Sequence, residues 1–357
     1  MQTPEPQITT FTADQINRWL NQGETIPGLT QAVIAPARAW AILHNPYIKP
    51  EDHVAAALHL NNPDGTQNLV AYTAAFPEII QNRRMWWFST LWCHPAHLGK
   101  GYALAVIGTL AELYGSENCL DTMGAPETVS IFRYLGHDDT TLPEYHFGSK
   151  ITPQNFKGRL ANILEKTKTN IRTFRIKHNK QLNTPHYNIE YTDHIDDNTY
   201  QFITSHAPNQ LFIRTQPTLN WILAHPFKHY SPLSSKTTSR GLFGQTDTFY
   251  RIIAAKIYIE NKLTAFYILR NSETDLSVKY LYYDSQHTQT VFNSIIHHIA
   301  SIKNTAFSTR SKQLAQYITQ QHLFNKKKTV QISFSYPKEY SLPLNAESQG
   351  GDGDCFV

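Results

Sequence analysis

The amino-acid sequence predicts an α/β protein with a mixed sheet flanked by helices, and three observations carry that prediction. Short apolar runs of strand length alternate with segments of helical period along most of the chain. Asp64-Gly65 joins two such runs, a hairpin signal that makes part of the sheet antiparallel. An aromatic strand from Met85 to Cys93 is ended by Pro95 and turned by Gly99 and Gly101. An alanine- and leucine-rich helix from Leu104 to Tyr114 follows.

In order, residues 7–11 predict a first strand. Thr12 caps a helix with Gln15 at its third position and Ile16, Trp19 and Leu20 on one face. Residues 30–44 predict a second helix, stopped by Asn45-Pro46; residues 54–60 and 68–76 form the hairpin. After the helix that follows the glycine turn, residues 119–123 predict a strand. Residues 127–137 predict a helix that Pro126 opens and Gly136 closes. Residues 151–186 form a basic helical connector, with Lys157, Arg159, Lys166, Lys168, Arg172, Arg175, Lys177 and Lys180 and no wide apolar face. Phe174 is the one aromatic between Lys166 and Lys180, too few for a set of base-stacking platforms, which argues against a nucleic-acid partner.

From Tyr187 the order of elements repeats. A strand (187–191) and two helices (198–204, 214–225) precede a hairpin (251–259, 264–270) and a strand (278–283). Helix 289–302, strand 305–308, helix 311–322 and strand 330–335 complete the set. Residues 344–357 are expected to be a flexible tail or a final edge strand. Gly350-Gly-Asp-Gly-Asp354 offers too few oxygens for a calcium loop, and the histidines show no metal spacing, so no metal is expected.

At 357 residues the chain is long enough for two cores. The three cysteines make no disulfide framework, no 18-residue apolar run crosses a membrane, and the N-terminus lacks signal-peptide regions. A cytoplasmic protein with no membrane partner, monomeric or homodimeric, is expected. Residues 1–150 carry 8 Lys and Arg against 14 Asp and Glu, a net of −6, whereas the remainder carries 24 against 14, a net of +10. Negative potential in the first half would help to draw in a cationic amine.

Strand, glycine turn and helix make a phosphate cradle, because the first N–H groups of a helix have no internal partner and sit at the positive end of its dipole. A nucleotide-triphosphate loop needs a hydroxyl where Tyr102 stands, and the dinucleotide fingerprint needs a glycine where Leu104 stands. What remains resembles the acetyl-CoA loop of the GNAT acetyltransferase superfamily, a strand and x-Pro followed by Arg/Gln-x-x-Gly-x-Gly/Ala. Pro95, Gly101 and Ala103 match, Gly99-Lys100 reproduces a common variant, and Leu98 departs from the Arg/Gln position. The resemblance implies tandem GNAT folds, each a twisted, mostly antiparallel sheet flanked by helices. Residues 1–150 would be the acetyltransferase domain and residues 187–343 a second, GNAT-like domain. Tyr283-Asp-Ser-Gln-His-Thr-Gln289 replaces the cradle there, without a glycine.

It further implies transfer of an acyl group, acetyl first, from acyl-CoA to a small-molecule amine such as an amino sugar. Acylation of a protein or peptide amine, or a silent CoA-binding module, are the alternatives. Residues Leu91, Trp92, Cys93, Leu98, Gly99, Lys100, Gly101, Tyr102 and Ala103 would hold acyl-CoA, with main-chain N–H groups of 91–93 meeting the carbonyl oxygen. The family's Asn, Ala and Tyr in the helix after the cradle become Ala125, Thr128 and Phe132, so the phenol that protonates the departing thiolate is missing. Tyr134 lies about 200° round the helix from that position. For the proton-transfer group, Glu78 after the hairpin, His94 at the strand end and Asp121 on the strand after the cradle helix are candidates. Cys93 reads as strand packing, and so do Trp86-Trp87-Phe88.

Overall fold

Strand β1 (Glu5–Thr12) enters helix α1 (Ala13–Gln22) through a capping box. The Thr12 hydroxyl accepts from the Gln15 N–H at 3.2 Å and the Gln15 side chain accepts from the Thr12 N–H at 2.8 Å. This is a computed structural model, and it describes residues 5–30, 33–62, 65–148, 156–178, 182, 187–207, 210–224, 250–272, 275–302, 306–340, 342 and 346–353. Helix α2 (Pro36–Leu43) is shorter than the segment 30–44 read from the sequence, because Pro36 suits the first helical position, where no N–H is needed. Strands β2 (His53–Asn61), β3 (Gln67–Ile80) and β4 (Arg83–Cys93) form an antiparallel meander. β3 continues through Pro77 to a tight turn at Gln81-Asn82, both at positive φ, as two-residue hairpins require. Pro77 is tolerated because β2 pairs with β3 no further than Ala74.

Helix α3 (Tyr102–Tyr114), β5 (Cys119–Thr122), α4 (Pro126–Tyr134) and β6 (His137–Gly148) complete the first half. The sequence reading assigned no strand to residues 137–148, whose burial does not alternate and which contain Pro143. β11 pairs with β6 only from Tyr145 onward, so Pro143 has no neighbour on that side. After α5 (Phe156–His178) the same order returns. It runs β7 (Tyr187–Thr192), α6 (Asp197–Ser205), α7 (Gln216–Ala224), β8 (Tyr250–Ile259), β9 (Lys262–Ser272), β10 (Asp275–Tyr283), α8 (Thr288–Ile302), β11 (Ala306–Thr309), α9 (Lys312–Gln320) and β12 (Lys327–Pro337).

The strands form one twelve-stranded sheet in the order β1-β2-β3-β4-β5-β12-β6-β11-β10-β9-β8-β7. Each half therefore lends its last strand to the other: β12 lies beside β5, and β6 lies beside β11. Alternation along β9 shows how the two faces are used. Phe266 and Ile268 join a core that continues under β2, β3 and β4, while Ala265, Tyr267 and Leu269 pack with α8 and α9. The halves also meet through the Trp221 indole N–H, which donates to the Ala41 carbonyl at 2.8 Å, and through the buried ion pair of Arg214 with Glu78.

The tail departs from the free end or edge strand that the sequence suggests. Residues 350–353 form a turn on the side of β10. The Gly351 N–H donates to the Lys279 carbonyl at 2.9 Å, and the Gln349 amide accepts from the Leu281 N–H and donates to the Leu281 carbonyl. Arg214 ties the same turn down by donating to the Gly351 and Gly353 carbonyls at 2.9 and 3.0 Å. Residues 354–357 lie outside the described residues.

Candidate functional site

The site is built where β4 parts from β5. The two strands pair in parallel only at Trp86 with Cys119 and Trp87 with Leu120; beyond that, β5 turns to β12 through Asp121 and Thr122. From Phe88 onward, the edge of β4 that faced β5 has no strand partner, and main-chain polar groups left this way need another one. On its other edge β4 is bulged. The register with β3 shifts between Tyr72 and Ala74, and Thr90 sits at φ +53°, a conformation that costs a β-branched residue energy and is typical of sites held in shape by their surroundings.

β4 runs directly into the cradle. Pro95 opens a short 3-10 turn over residues 95–97, and Gly99 (φ +77°) and Gly101 (φ +80°) then turn the chain into α3, with Gly101 as its N-cap. Both glycines need the left-handed conformation, and a Cβ placed on either would meet nothing within 4 Å. The space in front of the turn is open, and among the described residues no hydrogen bond is made by the N–H groups of residues 99–104. Val106, Ile107, Leu110 and Ala111 anchor α3 in the core, so this N-terminus is held rigidly. An open row of main-chain N–H groups at a helix start is suited to a phosphate-bearing ligand. Leu98, 66% exposed, brings no polar group to it.

Between the parted strands lies a cavity of about 280 Å³, lined among others by Thr73, Ser89, Leu91, Asp121, Thr128 and Phe132. Asp121 is 6% exposed, and one of its carboxyl oxygens has no hydrogen-bond partner. Burial pushes this carboxyl up to about 8, against a main-chain hydrogen bond from Thr122 that pulls it down. Gly124 makes the approach feasible, because a Cβ there would overlap the Asp121 carboxyl. The hydroxyls of Thr73 and Thr90 are also buried without a partner, so three polar groups are left unsatisfied around one cavity. Unsatisfied groups gathered this way mark a place where a ligand completes the bonding. Phe132 packs edge-on against Phe88 and His137 and has no proton to give.

The other candidates fall elsewhere. Glu78 is 1% exposed and held in the ion pair with Arg214, while accepting from the Trp87 indole at 3.0 Å; it does not line the cavity. Tyr134 is 77% exposed on α4. The His94 ring accepts from the Ala96 N–H at 3.2 Å and so caps the 3-10 turn. Cys93 is half-buried, and burial pushes its thiol up, which keeps it protonated. Trp86 stacks on Tyr114, Trp87 meets Phe212, and all three aromatics of that run are core. Leu91, Trp92 and Cys93 lie on the stretch of β4 past the bulge, where Trp92 and Cys93 pair with Tyr72 and Ala71. Sequence reasoning missed Thr73 and Thr90. A lone threonine in a strand carries no signal until the bulge brings the two hydroxyls to one cavity. Among the described residues no cluster of His, Cys, Asp or Glu is arranged for a metal, and no helix is long and apolar enough to cross a membrane.

No protein-family model matches this sequence, and no curated protein matches it. Solved structures do match. Saccharomyces cerevisiae N-myristoyltransferase with bound myristoyl-CoA aligns with a TM-score of 0.51 at 11% identity, over 99% of this chain and 88% of that one. A putative acetyltransferase from Pyrococcus horikoshii aligns at 0.50 and 10% identity, over 97% and 94%. A GCN5-related N-acetyltransferase from Kribbella flavida aligns at 0.46 and 13% identity, over 93% and 71%. The fold of this chain is the one that the N-myristoyltransferase and the putative acetyltransferase share with it.

Proposed function

We propose that this chain is an acyl-CoA-dependent N-acyltransferase. It passes an acyl group to a primary amine in the cleft between β4 and β5, with Asp121 as the group that moves the proton. The observation that carries the reading is the alignment of three features along one strand: an open glycine cradle, an unpaired strand edge, and a cavity ending on an unpartnered carboxyl. The bound thioester would supply the acyl group. The chain's own part is to hold the diphosphate on the N–H groups of 99–104 and to offer the main chain around Leu91 to the carbonyl oxygen as it gains charge.

Asp121, as the carboxylate, takes the proton that leaves the attacking nitrogen; as the acid, it returns one to the departing thiolate. A carboxyl held near 8 suits both steps, because efficiency is greatest when the pKa lies close to the working pH. It also stands in for the phenol lost at Phe132, which lines the same cavity. A cavity of about 280 Å³ lies at the small end of the range for ligand sites and supports an acetyl-sized group on a small amine, an amino sugar among them. The tandem reading, with the catalytic unit in residues 1–150, is part of the proposal and is supported by the repeated order of elements.

The test is thiol release from acetyl-CoA against small amines, amino sugars and N-terminal peptides, alongside direct binding of CoA. Gly101→Arg should fill the cradle and weaken CoA binding by about tenfold or more, the worth of one or two charge-assisted hydrogen bonds. CoA binding without thiol release from any amine would leave a silent CoA-binding module. Release confined to peptides would move the acceptor to protein amines.

A further inference from the structure

The cleft in the first half is bordered by a strand that belongs to the second. On β12, Ser335 pairs with Asp121 of β5 on one side and with Asp139 of β6 on the other. Residues directly opposite each other in antiparallel strands share a face, with Cβ atoms about 4.5–5.5 Å apart. Asp121, Ser335 and Asp139 therefore form a row across three strands. Helix α4 covers that row, since Thr128 and Phe132 line the cavity with Asp121 and Arg133 reaches Asp139.

The two carboxyls at the ends of the row are provided for differently. Arg133 donates to both oxygens of Asp139, at 2.8 Å for one of them, and this holds the carboxyl below the usual carboxylate range. Asp139 stays ionised and needs nothing from the serine. Asp121 has one oxygen without a hydrogen-bond partner, and the Ser335 hydroxyl, 2% exposed, has none either. Other ionisable groups on the surrounding elements are engaged away from Asp121. Arg83 and Arg84 of β4 bind Asn118 and Asp52, His137 meets the Cys119 carbonyl, and Asp352 of the tail turn faces Arg214 and Arg310. Glu112, Glu127 and Tyr134 are exposed, and Tyr336, next along β12, points to the opposite face. The hydroxyls of Thr73 and Thr90 are also unpartnered, but both residues line the cavity, where an entering ligand can take them. Ser335 does not line it and stays behind the carboxyl.

We propose that Ser335, contributed by the second half of the chain, is the positioning residue for Asp121. As the carboxyl ionises, the serine side chain turns to donate to it from behind, which favours the charged form and leaves the other oxygen aimed at the acceptor amine. Ser335 keeps its own proton throughout; the proton that moves is the one Asp121 takes from the amine nitrogen. The effect on turnover rests on the acyltransferase reading, whereas the effect on the ionisation of Asp121 does not.

The experiment is an infrared pH titration of the full chain, following the carboxyl C=O band that Asp121→Asn removes. Ser335→Ala should move the midpoint of that band upward from about 8 by about one pH unit or more, the worth of a hydrogen bond to a charged group. Ser335→Thr, which retains the hydroxyl, should bring it back toward the parent. In steady-state assays Ser335→Ala should have a kcat/KM about tenfold below the parent at pH 7, with the deficit shrinking as the pH rises toward 10. Lost packing alone would lower it equally at every pH. An unmoved midpoint in Ser335→Ala would overturn the inference, and so would an equal displacement in the threonine variant, because the hydroxyl would then not be its cause. A displaced midpoint without thiol release against any amine would uphold the link between Ser335 and Asp121 and remove the acyltransferase reading instead.

Discussion

The two halves carry the same slot and use it in opposite ways. In the first, β4 leaves β5 after Trp87, and the edge it exposes faces an open cavity. In the second, β10 pairs with β11 at residues 275–277 and is bulged between Val278 and Tyr280, much as β4 is bulged at Thr90. There the chain's own residues 349–351 occupy the exposed edge, with the Gly351 N–H on the Lys279 carbonyl and the Gln349 amide on both main-chain groups of Leu281. Past the slot, Asp284 caps a 3-10 turn that runs straight into α8 with Thr288 in helical conformation, so there is no glycine turn and no open row of N–H groups. The third residue of β5 is Asp121 and the third of β11 is Ser308. A parted pair of strands is thus only a frame. What occupies the exposed edge and what chemistry lies behind it decide whether a substrate enters.

The comparison breaks most sharply at Asp121. Asp121→Asn keeps the shape of the cavity and removes the group proposed to transfer the proton, and steady-state assays should show kcat/KM down by about 10²–10⁴-fold. In the parent, kcat/KM should rise with pH and level off above about 8, because the amine's proton can pass only to the ionised carboxyl; the variant should lose that rise. Unfolding cannot imitate this result. A carboxyl whose folded pKa is raised contributes stability that is complete below its unfolded value near 4 and is lost as pH climbs through about 8. The asparagine variant never ionises, so between those limits it should become progressively more stable than the parent in denaturant titrations, with the gain largest at pH 8. A variant as active as the parent would remove Asp121 from the chemistry and leave the first slot with no more function than the second.

Much of the frame was legible in the sequence because it is local. Thr12 with Gln15, Pro95 with Gly99 and Gly101, and Pro126 each set backbone geometry within a few residues, and each is found where the pattern put it. Asp121 was visible as one carboxylate among several, but its isolation depends on how far β5 pairs with β4, which no local pattern encodes. Glu78 looked equivalent until Arg214, far away in the chain, closed over it. β6 was missed for a related reason. A strand clamped between two others by exchange between the halves needs neither alternation nor an apolar run, since its neighbours supply the burial. The tail likewise reads as flexible, because glycine and aspartate are turn formers; its order comes from Arg214 and β10.

The filled slot should be the less forgiving of the two toward added volume. A Cβ on Gly350 would overlap the Val278 carbonyl oxygen, and main chain cannot rotate out of the way as a side chain can. Gly350→Ala should therefore destabilise the fold by about 1–3 kcal/mol, read as a lower urea midpoint, with CoA affinity at the first slot unchanged. An unaltered midpoint would mean that residues 349–351 are not held against β10, and the two slots would then be equally open.

The same substitution in the open slot sharpens the contrast because volume plays no part in it. Gly99 has nothing within 4 Å of where a Cβ would stand, yet its φ of +77° lies in the left-handed region that an alanine enters at a cost of about 1 kcal/mol. Gly99→Ala should lower stability by that amount alone, less than Gly350→Ala, when both are unfolded in urea without ligand. With acyl-CoA present the ordering should reverse. The new methyl stands in the space assigned to the diphosphate, so Gly99→Ala should gain less from the ligand than Gly350→Ala does, since ligand stabilisation follows affinity. Equal stabilisation of the two variants by acyl-CoA would place the diphosphate somewhere other than this turn.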